Sequence, residues 1–102
     1  MSEPYVLQEA GGTITVSPAV LSQVVVGAAE SVDGARVRRP RRGLELDLDD
    51  GRARVSLELG VRYGHVLPDV AGEVQRRVHD ELRRMCGLDT SAVDVSVEEL
   101  DA

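Results

Sequence analysis

The chain has 102 residues, 42% of them hydrophobic and 29% charged, with a formal net charge of −6. That length supports one domain around a single core and is too short for two. The acidic balance argues against nucleic acid or anionic lipid as a partner of the whole surface, so any such binding needs a local basic patch.

Met1 to Gly11 carries Pro4, two acids and a glycine pair at its end, and reads as a short flexible arm (1–11) ahead of a single domain (12–102). Thr13 to Val16 forms a short strand with Ile14 and Val16 on one side. Ser17-Pro18 is a helix start, because Ser17 can cap and Pro18 suits the first helical position. Leu21, Val24, Val25, Ala28, Ala29 and Val32 then recur at spacings of three and four, one face of a helix ended by Asp33-Gly34. The Val24-Val25-Val26-Gly27 run has poor helix propensity, so packing has to hold this helix. Arg36-Val37-Arg38 predicts a brief edge strand, since Pro40 forbids a central one.

Leu44 to Tyr63 is the most strongly specified stretch. Leu44, Leu46 and Leu48 alternate with acids, and Ala53, Val55, Leu57, Leu59 and Val61 alternate with Arg52, Arg54, Ser56, Glu58 and Arg62. Asp50-Gly51 between them suits a two-residue hairpin turn with positive φ at both positions. The turn sets Asp49 opposite Arg52, Leu48 opposite Ala53, Asp47 opposite Arg54, Leu46 opposite Val55 and Leu44 opposite Leu57. A slip of one residue would break both the apolar and the charged pairing.

Gly64 to Pro68 reads as a loop into a second helix, whose buried stripe is Val70, Ala71, Val74, Val78, Leu82 and Met85. Asp69 and Glu73 lie near its N-terminus, and Arg83 and Arg84 near its C-terminus, as the helix dipole prefers. Glu73–Arg77 and Asp80–Arg84 are candidate i,i+4 pairs. Gly87 suits the residue after the helix, with Leu88 folding back on the last turn. Val93, Val95 and Val97 alternate with Asp94, Ser96 and Glu98 in a last strand. The order β-α-(β)-β-β-α-β predicts an α+β two-layer sandwich, both helices on one face of a mixed sheet, with a ferredoxin-like arrangement the simplest topology. The strand order is left open by this reasoning.

Candidate chemistry is sparse. There is no Lys, and Tyr5 and Tyr63 are the only aromatics, so the core must be aliphatic. His65 near Asp69 could make an acid–base couple or a partial metal site, but no Ser, Cys or third ligand completes either; His79 reads as a surface histidine. Cys86 is the lone cysteine, which excludes an internal disulfide, fits a reducing compartment and reads as ordinary packing. The glycines form no phosphate loop, and no cofactor or metal is implied. The concentrated feature is the run Arg36, Arg38, Arg39, Arg41 and Arg42, readable as a solvated connection, a contact for a protein partner, or a phosphate clamp with no aromatic nearby to stack bases. No apolar run approaches the roughly 20 residues of a membrane span and no signal-peptide pattern opens the chain, so a cytoplasmic protein without direct membrane insertion is expected.

Several motifs in joint order resemble the alkaline shock protein family, the bacterial envelope stress response proteins also called YloU-like. They are Gly12-Thr13-Ile14-Thr15-Val16-Ser17, the Val-rich helix ending at Val32-Asp33-Gly34, Val61-Arg62-Tyr63-Gly64, Val74-Gln75 with Val78, Met85-Cys86-Gly87-Leu88, and Val93-Asp94-Val95-Ser96-Val97. The chain departs from the family at Ala35, where a larger aliphatic residue is usual. It also lacks the long polar tails of some relatives, so tail contacts are not carried over. The resemblance implies a non-enzymatic cytoplasmic protein that self-associates as a homo-oligomer and is held at the membrane by a membrane-anchored protein of the same family. Two rivals remain at this stage: a small nucleic-acid-binding module using Arg36 to Arg42, and a small enzyme or ligand carrier with an apolar pocket between helices and sheet.

Overall fold

The structure, a computed structural model, describes residues 5–38 and 43–100. Its elements are β1 (Tyr5–Glu9), β2 (Gly12–Val16), α1 (Pro18–Glu30), β3 (Ala35–Arg38), β4 (Glu45–Asp49), β5 (Arg52–Arg62), α2 (Leu67–Cys86) and β6 (Asp89–Leu100). The architecture is the expected α+β one, with two helices and a mixed main sheet. β5 organises that sheet. β6 runs parallel to it along the whole span from Arg52 to Arg62. β3 and β4 are both antiparallel to β5, β3 on Glu58 to Val61 and β4 on Arg52 to Ser56. Because β6 fills one side of β5, β3 and β4 must lie end to end on the other, like one edge strand broken between Arg38 and Glu45.

The hairpin register is the one the alternation dictates from Asp49 opposite Arg52 to Leu46 opposite Val55, but the ladder ends at Glu45 opposite Ser56, so the expected Leu44–Leu57 pair lies outside it. Asp50 and Gly51 have φ of 53° and 76°, the left-handed turn conformation that Asp-Gly accommodates. Between β5 and β6 the register shifts where Ser91 is inserted as a bulge, and its hydroxyl donates to the Ala53 carbonyl at 3.3 Å.

Ser17 caps α1 by accepting the Val20 N–H at 3.3 Å, with Pro18 in the first turn. α2 ends at Gly87 in the left-handed conformation; its N–H and that of Leu88 bond back to the Arg83 and Leu82 carbonyls. Leu21, Val25, Ala28 and Ala29 of α1 meet Val70, Val74, Val78, Leu82 and Cys86 of α2 over Val55, Leu57, Leu59 and Val61. Burying each Val or Leu fully stabilises the fold by about 1.5–3 kcal/mol relative to exposure. Apart from Cys86, the core is aliphatic.

Further details differ from the sequence-based expectations. Tyr5 to Glu9 fall within the stretch read as an arm, yet they pair with β2 from Tyr5 opposite Val16 to Glu9 opposite Gly12. Leu67 and Pro68 belong to α2 rather than to the loop before it. Met85 is 58% exposed while Cys86 is buried, because Cys86, four residues after Leu82, carries the stripe into the last turn. Arg84 pairs with Glu81 at 2.9 Å in place of Asp80, whereas Glu73–Arg77 forms at 3.1 Å as expected.

Candidate functional site

The candidate contact residues sit at the β3 end of the broken edge. Alternation puts Ala35 and Val37 toward the helices and Arg36 and Arg38 on the opposite face. Arg36 is exposed opposite Gly60, and Arg38 lies opposite Glu58. Arg38 Nη1 is 3.7 Å from Glu98 Oε2 across β5, a half-exposed pair of small energetic weight. Arg39, Arg41 and Arg42 lie outside the described residues. The structure thus brings two of the five arginines onto one sheet face.

The rest of that face is polar: Glu45, Asp47 and Asp49 on β4, Arg52, Arg54, Ser56, Glu58 and Arg62 on β5, and Asp94, Ser96 and Glu98 on β6. Arg54 stands opposite Asp47 as predicted, but its guanidinium reaches the other way, to Asp94 Oδ2 at 3.1 Å. Among the described residues, Glu45, Asp47 and Asp49 take no ion pair, and neither does Arg36. The edge made by β3 and β4 therefore has a basic half and an acidic half. One of its amides is engaged from α1: the Val37 N–H donates to Glu30 Oε2 at 3.0 Å. Nothing in the local sequence signals this bond, because Glu30 and Val37 are brought together only by the turn between α1 and β3.

The other candidates are dispersed. His65 donates from Nδ1 to the Arg62 carbonyl at 3.2 Å, and its Nε2 is 3.5 Å from Asp33, not Asp69. His79 lies against Thr90 Oγ1 at 2.6 Å on the far side of α2. Cys86 is buried, and that burial pushes its thiol above the ordinary value, which favours the unreactive protonated form. Among the described residues no three His, Cys, Asp or Glu side chains gather as a metal site. An open groove of about 600 Å³ runs between the outer faces of α1 and α2, lined by Val20, Val24, Gly27, Arg77, Glu81 and Met85 among others. Arg77 bridges it by donating to Ser31 Oγ at 3.1 Å. Among the described residues no helix is long and apolar enough to cross a membrane.

The family model for alkaline shock protein 23, described by a cell envelope-related function, matches residues 6–102. The chain belongs to that family. The match covers the strands, both helices and the polar sheet face described above, and agrees with the resemblance drawn from the motifs. No curated protein is significantly similar to the chain. Among solved structures, a zinc form of a MamM CTD variant is 22% identical with a TM-score of 0.65, covering 82% of this chain and 87% of that one. A histidine-to-alanine variant of MamM CTD is 20% identical with a TM-score of 0.59, covering 83% of this chain and all of the other. A copper form of another variant is 20% identical with a TM-score of 0.58 and the same coverage. At these identities the likeness is one of fold.

Proposed function

We propose that this alkaline shock family member is a non-enzymatic assembly module of the envelope stress response. It self-associates in the cytoplasm and is held to the membrane by a membrane-anchored protein of the same family. The observation that carries the reading is the open β3–β4 edge, whose acids take no ion pair among the described residues and whose basic end lies beside an otherwise well-packed core. A sheet edge without a neighbouring strand offers main-chain bonding to another chain, and its charges decide which chain is accepted. Arg36, Arg38, Arg39, Arg41 and Arg42 are the proposed contact residues for an acidic partner surface. Among the described residues no helix is long and apolar enough to cross a membrane, and a protein partner is the proposed route to the envelope.

The test is an affinity pull-down from the native cell with the membrane fraction included. Wild type is compared with a variant carrying Arg38, Arg39, Arg41 and Arg42 changed to Ser. Recovery of a membrane-anchored protein with a like domain, lost in the variant, supports the reading. Recovery of RNA alone, released by salt, would replace it with nucleic-acid binding.

A further inference from the structure

We infer that the β3–β4 edge is a self-complementary interface, pairing antiparallel with the same edge of a second copy about a two-fold axis at the level of Leu57. This rests on the self-association reading above and specifies its surface and register. β3 ends with Arg38 opposite Glu58 and β4 begins with Glu45 opposite Ser56, so Leu57 is the one β5 position between them. A two-fold axis there sets Arg38 against the partner's Glu45 and Arg36 against the partner's Asp47. It also sets Val37 against the partner's Leu46 and Ala35 against the partner's Leu48. The symmetry repeats each pair, giving four ion pairs and four apolar pairs with no like charges opposed.

Neighbouring registers fail. A shift of one residue sets apolar side chains against charges. A shift that keeps the faces in phase moves the axis to the level of Ser56 or of Glu58. The first opposes Glu45 to itself and the second opposes Arg38 to itself. The other exposed edge has no such match, because β6 presents Asp94, Ser96 and Glu98 and contains no basic residue.

The backbone phase agrees with the side-chain phase. The Arg62 N–H bonds to the Gly34 carbonyl at 2.8 Å, so Gly34 faces β5, and alternation turns the amides of Ala35 and Val37 outward. A two-residue hairpin turn likewise points the amides of Leu46 and Leu48 outward. Val37 with the partner's Leu46 is then a hydrogen-bonded pair, while Arg38 with the partner's Glu45 is a non-hydrogen-bonded one, where side chains come closest. Two outward donors are already used: Ala35 N–H bonds to the Val32 carbonyl at 3.1 Å, and Val37 N–H to Glu30. Pairing at Val37 therefore exchanges the Glu30 carboxylate for the partner's Leu46 carbonyl. Glu30 acts as a guard of the edge in the single chain.

Sedimentation velocity on the full chain over the micromolar range tests this. Arg36→Asp with Arg38→Glu makes the four paired charged positions of the edge all acidic, and Glu45→Arg with Asp47→Arg makes them all basic. All four positions lie on the polar face, and circular dichroism confirms that each variant folds. Wild type should run as a dimer, each variant alone as a monomer, and their equimolar mixture as a dimer again. Glu30→Ala should dimerise at least as tightly as wild type. Oxidised mixtures of an Arg38→Cys chain with a Glu45→Cys chain should cross-link, since non-hydrogen-bonded pairs fall within disulfide reach, while Arg36→Cys with Glu45→Cys should not. A wild-type dimer whose charge variants stay dimeric, or fail to combine, overturns the register and leaves self-association standing on another surface. A wild type that stays monomeric at hundreds of micromolar overturns both.

Discussion

Gly34→Ala should destabilise the protein by about 2–3 kcal/mol, and part of that loss should vanish when His65 is removed. Gly34 has φ of +86°, and a Cβ placed on it would lie 2.7–2.8 Å from three atoms of the His65 ring. The left-handed backbone costs an L-residue about 1–2 kcal/mol wherever it occurs. The ring sits at the end of a side chain that can swing away, so the clash costs no more than what the ring gives up. That is its bond to the Arg62 carbonyl and its weak approach to Asp33, about 0.5–1.5 kcal/mol together. In a His65→Ala background only the backbone cost remains, about 1–2 kcal/mol. Urea denaturation of the four proteins of the cycle measures the difference, and the single Gly34→Ala variant should melt about 10–20 °C lower. Equal losses in both backgrounds, within about 0.3 kcal/mol, would refute the close approach as the reason for Gly34. Because the Gly34 carbonyl accepts the Arg62 N–H and so anchors β3 on β5, the same variant should also weaken self-association.

Two pH dependences follow from the structure. Hydrogen bonds from Arg76 and then Arg77 hold the Glu73 carboxyl below its ordinary value of 4.5. That contribution is present above the ordinary value and is lost as pH falls through the folded one, so Glu73→Gln should flatten the acid limb of thermal stability, measured from pH 7 to pH 3. The effect should be small and shrink with salt, since the group is exposed. Burial raises the Cys86 thiol above 9.0, so its contribution is complete below pH 9 and is lost as pH rises toward the folded value. Cys86→Val should remove that alkaline loss in urea midpoints compared at pH 7, 9 and 10, and the native thiol should react with a disulfide reagent only as fast as the chain opens. A native thiol as reactive as a free one would contradict the burial.

Most of the fold was legible because its strongest signals are local. The Leu44 to Tyr63 alternation and the Asp50-Gly51 turn leave one register, and the Ser17-Pro18 and Gly87 caps mark where helices start and stop. The misreadings arose where partners are distant or where several are equally near. Asp47 and Asp94 flank Arg54 on its two sides, and only the observed conformer decides for Asp94. Glu81 and Asp80 are both within reach of Arg84 along one helix. Tyr5 to Glu9 gain a strand partner only because Gly11 and Gly12 turn the chain back, with Gly12 at φ of +134°. The candidate site was half legible: the charge run at Arg36 to Arg42 is plain in the sequence, but the acids it complements come after a break in the ladder.

That break explains why the edge looks unlike a strand until the sheet is assembled. Residues 39–44 separate Arg38 from Glu45 in sequence, yet on β5 their partners Glu58 and Ser56 are two apart. A continuous strand of mixed charge would offer many registers, whereas a basic segment of four residues followed by an acidic one of five has few. Separating the charges along one edge makes it dislike its own parallel copy and accept its antiparallel one, which closes a pair rather than propagating a fibre. Glu30 adds a second restraint, because it satisfies the Val37 amide until a partner carbonyl replaces it. Edges exposed without such restraints pair indiscriminately. The proposed assembly role needs an edge selective in this way, and changing Glu30 to Ala while keeping the charges should loosen that selectivity without abolishing the pairing.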